Sequence, residues 1–449
     1  MKVIQIVIVS LFALALPLRT SATVVQTVDQ PFTTEASRWA HRVDEAGDYQ
    51  IGMAWIEVKS AGSVDLRVLA CGKQVKLFHA RSGLAPLRFE TRIEGISKGD
   101  TIEIEAVPVR GTRYRIGYQI AFCTPTFDRV KVFDVADYGA AGNGRTDDMA
   151  AITRAVAAAK NAGGGIVRFD GSKTYRLIGR ADLTIEPVFD LEGASNIKIE
   201  GNGATLMIHP PDRMANIAFA ENIHIDGFTV DYDPKPYYQG TITDIDVNNM
   251  TIDIDVPDRY PVPEVGIAPT HAPFFGRSFI PDAPGARSGH GHNLYIEEVT
   301  RVGNERQLRL QIRKDAKGSA TPSVSMRPRV QHADDNGATE FVVPHIVYGH
   351  LGGNNIITQS SRVKLSNIRY NCAPYFWMNI ISNTGPVTLS NVDIQTPHPE
   401  TELYVTWRDG MHIKNGRWGI LIEDGDWDGA AMYDDTFALY SRMQVLVST

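Results

Sequence analysis

Apolar and polar residues alternate along most of this chain, and one short figure keeps returning. It appears in "SNIKIEGNGATL" from Ser195, "ENIHIDGFTVDY" from Glu221, "SRVKLSNIRYNC" from Ser361, "GPVTLSNVDIQT" from Gly385 and "WGILIEDGDWDG" from Trp418. Each copy has two β-branched or Leu residues flanking one other residue, then Gly, Asn or Asp, then a second short run. The paired positions are Ile197/Ile199, Ile223/Ile225, Val363/Leu365, Val387/Leu389 and Ile420/Ile422, evenly enough spaced apart from one long gap after the second pair. Alternation at period two predicts strands, because successive side chains leave a strand on opposite faces. Strands returning at such an interval through Gly and Asn turns predict a parallel β-helix, each coil stacked about 4.8 Å above the last.

Two other patterns precede the repeat. Between Thr27 and Asp128 the runs "DYQIGMAWIEVKS", "VDLRVLACG", "LRFETRIEG", "DTIEIEAVPV" and "RYRIGYQIAFC" alternate between turn signals such as Lys98-Gly99-Asp100. That spacing predicts a β-sandwich over 27–128, with Trp55, Tyr114 and Tyr118 as either core or sugar-stacking residues. The segment "DYGAAGNGRTDDMAAITRAVAAAKNAGGG" then switches to helical spacing at Met149, Ile152 and Val156. It predicts a helix capped by Thr146, with Asp147 and Asp148 in its first turn and Gly163 to Gly165 at its end. Such a helix would close the first coil and cover an edge that invites aggregation. "GAAGNG" has neither the GxGxxG order nor a Walker lysine, so a nucleotide loop is not indicated.

The β-helix is therefore expected over 132–449. Residues 238–345, inside the long gap, read as an inserted β-rich segment rather than further coils. "GTITDIDVNNMTIDIDV" predicts a hairpin with an Asn-Asn turn, "LYIEEVTRVGNERQLRLQI" predicts another, and "TPSVSMRPRV" reads as a Pro-rich loop. An insertion of this size on a solenoid is expected to wall one side of a groove.

Composition adds location. The 449 residues are 43% hydrophobic and 22% charged, an ordinary globular balance. The apolar run Val3 to Leu18 ends in Thr20-Ser21-Ala22, so residues 1–22 read as a signal peptide cut after Ala22, and a secreted or periplasmic protein is expected. No later run is long enough to cross a bilayer, so the mature chain should have no membrane span. Loss of Lys2 and Arg19 leaves 43 basic residues against 52 acidic ones, a charge of −9, which argues against nucleic acid as a partner. Cys71 and Cys123 either pair in an oxidising compartment or remain thiols, and with Cys372 they match no zinc spacing.

Candidate chemistry gathers near the C-terminal end. Asp409 precedes Gly410, and Asp434-Asp435 follows one coil on. An Asp-Gly pair alone reads equally as a turn. Crowded carboxylates on neighbouring coils would raise one pKa and keep one acid protonated, as glycoside hydrolysis requires. Adjacent aspartates share one face only at a turn or bulge, which Gly429-Ala430-Ala431 makes feasible. His412, Lys414, Trp377, Trp407 and Tyr433 are the candidate substrate contacts, and core packing is the alternative for the aromatics. "HADD", His332 to Asp335, lacks ligand spacing, so no metal and no cofactor are expected.

The stretch "DYGAAGNGRTDDMAAITRAVAAA" resembles the opening segment of the pectate-lyase-like, right-handed parallel β-helix superfamily, a resemblance specific for fold rather than chemistry. "GFTVDYDPKPYYQGTI" and "DGMHIKNGRWGILIEDGDWDGAAMYDD" are similar to the β-helix α-1,3-galactosidases of glycoside hydrolase family 110. The likeness runs from Val132 to Asp435. It implies an all-β, single-stranded β-helix hydrolase, an α-galactosidase in the first instance, acting on an oligo- or polysaccharide with Asp409, Asp434 and Asp435 as acid and base. Two departures stand against it. Ala438 replaces the family's Asn, and the sequence ends at Thr449, less than a coil beyond Asp435. Phe437, Leu439, Met443, Val445 and Leu446 are therefore expected on an exposed last coil, in a truncated or atypically capped solenoid. A polysaccharide lyase or epimerase, and a non-catalytic glycan-binding or adhesive β-helix, remain the alternatives.

Overall fold

A computed structural model describes residues 24–440 except 60–61, 84–85, 126, 128–130, 179–183, 263–274, 281–292, 317–323, 345–354, 417, 429–431 and 433–435. The signal-peptide reading of residues 1–22, and Met443, Val445 and Leu446, lie outside the described residues. Among the described residues no helix is long and apolar enough to cross a membrane.

The N-terminal strands form two four-stranded antiparallel sheets. One orders Val24–Thr33, Tyr114–Phe122, Gly47–Val58 and Leu87–Ile96; the other orders Ser37–Arg42, Thr101–Pro108, Ser63–Ala70 and Lys73–Arg81. The five alternating runs are all strands, and Val24–Thr33, Ser37–Arg42 and Lys73–Arg81 join them. Alternation sends Ile51, Ile56, Leu66, Val68, Ile104 and Ile116 into one shared core. Tyr114 and Tyr118 are buried in that core, so neither offers a face to sugar, while Trp55 is half-buried on the outer face. Cys71 is exposed, Cys123 is buried, and both are free thiols, which corrects the expected choice toward unpaired cysteines.

The second assembly is a parallel solenoid whose register follows the repeat read from sequence. Ile197 and Ile199 pair with Ile223 and Ile225, these with Val363 and Leu365, these with Val387 and Leu389, and these with Ile420 and Ile422. Glu221–Tyr232 pairs directly with Ser361–Tyr370, so the stretch between Tyr232 and the parallel strand Asn355–Thr358 is inserted between consecutive coils. Three of the five coils bend at Asn202, Asn367 and Asn391, whose φ values of 56°, 53° and 52° are ones Asn tolerates better than bulkier residues, and the other two at Gly227 and Asp424, with φ of 78° and 51°. The second wall stacks Pro187–Asp190, Arg213–Ala218, Asn355–Thr358, Met378–Ile381, Met411–Lys414 and Phe437–Tyr440 in parallel.

The helix at the solenoid's start spans Met149–Asn161 and turns Ile152, Ala155, Val156 and Ala159 inward. Its N-cap position belongs to Asp148, not Thr146, which lies in strand Asn143–Asp147 and accepts a bond from Asn143 Nδ2. The two aspartates divide the work differently from expectation. Asp147 Oδ1 accepts from Met149 N at 3.0 Å, whereas Asp148 is fully buried and turns back onto the glycine loop. It accepts from Ala141 N at 2.6 Å and Gly142 N at 3.0 Å. The motif thus satisfies its own buried amides, the condition for folding a loop inside a core.

The insertion closes on itself as a six-stranded barrel. Its order is Tyr237–Asp246, Thr251–Asp255, Gln307–Ile312, Asn293–Arg301, Phe275–Phe279 and Glu340–Pro344. Both predicted hairpins are present. The stretch expected to be a loop contributes instead to helix Arg327–Asp335, whose proline sits in the first turn, where a missing N–H costs nothing.

One wall residue carries a pH cost. Asp212 is 2% exposed and its Oδ1 accepts from Glu186 N at 2.7 Å. Burial nevertheless pushes its carboxyl up from 3.8 to about 6. Between those values the folded chain binds more protons than the unfolded one, so stability falls as pH rises through the window, by about 3 kcal/mol in all. Asp212→Asn, which keeps the acceptor, should flatten the melting temperature between the two values and raise it at neutral pH. An unchanged pH profile would contradict this assignment.

Candidate functional site

The second wall sets the geometry around Asp409. Strand Met411–Lys414 points Met411, fully buried, toward the core, and period two then turns His412 to the outer side. The register puts Asn379 beside His412 on the preceding coil and Ala438 beside it on the following one. Asp409 lies just before the strand, 3% exposed, and its Oδ2 shares a hydrogen bond with His412 Nε2. His412 is itself 5% exposed, with the Phe376 ring 4.3 Å from the imidazole, centroid to centroid. The result is a carboxyl group and an imidazole joined by one hydrogen bond, screened from water on the Phe376 side.

Two acceptors in this group have no hydrogen-bond partner among the described residues. Asp409 Oδ1 and Asn379 Oδ1 are buried, and neither meets a donor there. Buried acceptors are rarely left so; a water, an ion or a ligand group completes them. The Asp-Gly pair also has a reason beyond turn propensity. A Cβ at Gly410 would stand 2.6 Å from Thr436 O and 2.8 Å from Met432 Sδ, so only glycine lets the next coil descend onto Asp409.

The other candidates separate. Lys414 is half-buried and falls on the same outer file as His412. Trp377 and Trp407 are 0% and 1% exposed, which corrects the expectation that they stack on sugar. Trp377 packs edge-on to Trp427 at 4.9 Å, inside the coil. Arg408, half-buried beside Asp409, holds its guanidinium 5.8 Å from the Phe376 ring. Tyr433, Asp434 and Asp435 lie outside the described residues. Phe437 and Leu439 are exposed at 44% and 73%. Asn379 is the residue missed from sequence. It precedes His412 by the same interval that separates Val387 from Ile420, a spacing already visible in the repeat.

The barrel grips the coils that carry this group. Tyr237 stacks on Tyr404 at 4.3 Å, and Gln239 Nε2 donates to Thr401 O at 2.7 Å while its Oε1 accepts from Leu403 N at 3.0 Å. From strand Phe275–Phe279, Arg277 Nη1 donates to Met432 O at 3.1 Å, with Nε bound to Asn293 Oδ1 at 3.0 Å. The insertion therefore braces both the loop leading to Asp409 and the coil above it. Arg277→Ala should loosen that coil by about 1–3 kcal/mol. Hydrogen exchange around Met432 and Thr436 would rise while strands Ser195–Ile208 and Glu221–Tyr232 keep their protection, and equal exchange in both proteins would contradict the brace.

No protein-family model matches this chain, and no curated protein matches it. Several solved structures resemble it at low identity. The catalytic unit of an α-1,3-glucanase of glycoside hydrolase family 87 from Streptomyces thermodiastaticus is 12% identical, over 94% of this chain and 61% of that one, with a TM-score of 0.31. An exopolygalacturonase from Thermotoga maritima is 14% identical over 71% and 56%, at 0.32. A family 28 exopolygalacturonase from Yersinia enterocolitica is 11% identical over 90% and 65%, at 0.34. The chain thus spans less than two thirds of the length of each of these three. Likenesses this distant carry no weight on activity; the chain's own strand register establishes that it is a parallel β-helix.

Proposed function

We propose that this chain is an exported glycoside hydrolase, with Asp409, Asp434 and Asp435 sharing general-acid and general-base work and a galactose-containing glycan as the first substrate to examine. The observation that carries the reading is the buried Asp409 carboxylate, bonded to His412 through one oxygen and without a donor at the other among the described residues. Glycoside cleavage needs a carboxyl group beside the leaving oxygen and a second one for water or the anomeric carbon. Asp435, one coil beyond Asp409 in the sequence repeat, is the candidate for that second group.

The neighbours have defined tasks in this reading. His412 fixes the Asp409 carboxyl and exchanges a proton with it, while Asn379 Oδ1 accepts from a sugar hydroxyl. Lys414 and Tyr433 contact the substrate. The N-terminal sheets act as a β-sandwich module beside the solenoid, and the helix Met149–Asn161 serves as its cap. Export follows from removal of residues 1–22. The test is product chemistry. Incubation with galactans, α-1,3-linked galactosides and polygalacturonate should release products saturated at both new ends. Release of unsaturated, ultraviolet-absorbing products instead would assign a lyase and overturn the proposal.

A further inference from the structure

The outer face of the first N-terminal sheet carries an array that the candidate site near Asp409 does not use. Trp55 on strand Gly47–Val58 lies across Gly117 of the neighbouring strand, its register partner. A Cβ at Gly117 would stand 2.7 Å from the indole Nε1 and Cε2, so the absence of a side chain there is what lets the ring lie flat on the sheet. Arg115 is wedged between two aromatics, its guanidinium carbon 5.1 Å from the Trp55 ring and 5.0 Å from the Phe32 ring. Its Nε donates to Glu57 Oε2 at 2.7 Å, which holds it in place. Two further cations converge on Phe32, Lys59 Nζ at 4.5 Å and Arg113 at 5.1 Å, and both are exposed.

This face is fixed to the solenoid rather than swinging from it. Further along the same sheet, Trp418 packs on Gly52, Glu90 Oε1 accepts from Gly419 N at 2.9 Å, and Arg92 Nη1 donates to Thr388 Oγ1 at 3.1 Å. Anything bound to the array is therefore held beside the last coils, at high local concentration.

We propose that this array is a second binding site, for an acidic polysaccharide carrying carboxylates. The chemistry selects the ligand class. A flat, half-exposed indole matches the apolar face of a pyranose ring. Lys59 and Arg113 attract carboxylates locally despite the chain's net negative charge, because screening confines their influence to about 10 Å. Glu57, and Asp29 paired with Gly117 on the far side of the ring, are acceptors that sugar hydroxyls satisfy. A phosphate backbone has no donor to offer them, which disfavours nucleic acid.

The experiment is native gel retardation of the full chain carrying Asp409→Asn, so that cleavage cannot clear the polymer. Polygalacturonate in the gel should slow the protein, less so as salt rises. Trp55→Ala should weaken binding about tenfold, and Lys59→Gln with Arg113→Gln, at exposed positions, should remove the salt dependence with an unchanged melting temperature. Absence of retardation, or retardation indifferent to all three substitutions, overturns the site. Equal retardation by a neutral galactan overturns the acidic ligand, and equal retardation by single-stranded DNA overturns the glycan. Because the protein tested is inactivated at Asp409, failure here leaves the hydrolase proposal standing, and success does not depend on it.

Discussion

Asp409→Asn should cut glycan hydrolysis by about 10²–10⁴-fold while leaving the fold intact. Asparagine is nearly isosteric, and its carbonyl oxygen can still accept from His412 Nε2, so the bond joining residues 409 and 412 persists. What disappears is a group able to give or take a proton at the oxygen that meets no donor among the described residues. The loss should fall on kcat, since the amide occupies the same volume and binds the same neighbours. A protein that loses melting temperature in proportion to activity would instead make Asp409 a structural carboxylate.

Trp377→Ala should show the opposite signature, losing about 3–5 kcal/mol of stability. The indole is fully buried, with Trp427 at 4.9 Å and Tyr370 at 5.7 Å, both edge-on. Removing it leaves a hole that stacked β-coils cannot collapse to fill, because each strand is pinned by bonds above and below. Denaturant titration should register the full loss while KM for any cleaved glycan stays near its original value. A raised KM with unchanged stability would restore Trp377 to the substrate groove.

The first wall of the solenoid was legible because one of its faces is core. A slip of one residue would expose every Ile, Val and Leu, so the pairs from Ile197/Ile199 to Ile420/Ile422 had a single consistent register. The second wall was harder. "NIIT", "MNII" and "MHIK" are very short and carry polar side chains on the outer file, too little pattern to mark as strands. Barrel closure depends on Glu340–Pro344 pairing with both Tyr237–Asp246 and Phe275–Phe279, contacts between distant stretches of chain that local alternation does not encode. Of the site, Asp409 and His412 were visible through the Asp-Gly figure and strand periodicity. Their mutual bond was not, nor was Asn379, whose only mark is its one-coil spacing from His412. Trp377 and Trp407 misled because a large aromatic in coil register suits a core and a sugar platform equally.

The most direct test of the central claim is hydrolysis in water enriched in heavy oxygen, read by mass spectrometry of the products. One heavy oxygen should enter each new reducing end formed by the native chain, and Asp409→Asn should cut that labelled product by about 10²-fold or more. Cleavage without label, or labelled cleavage at an unchanged rate in Asp409→Asn, would contradict the assignment.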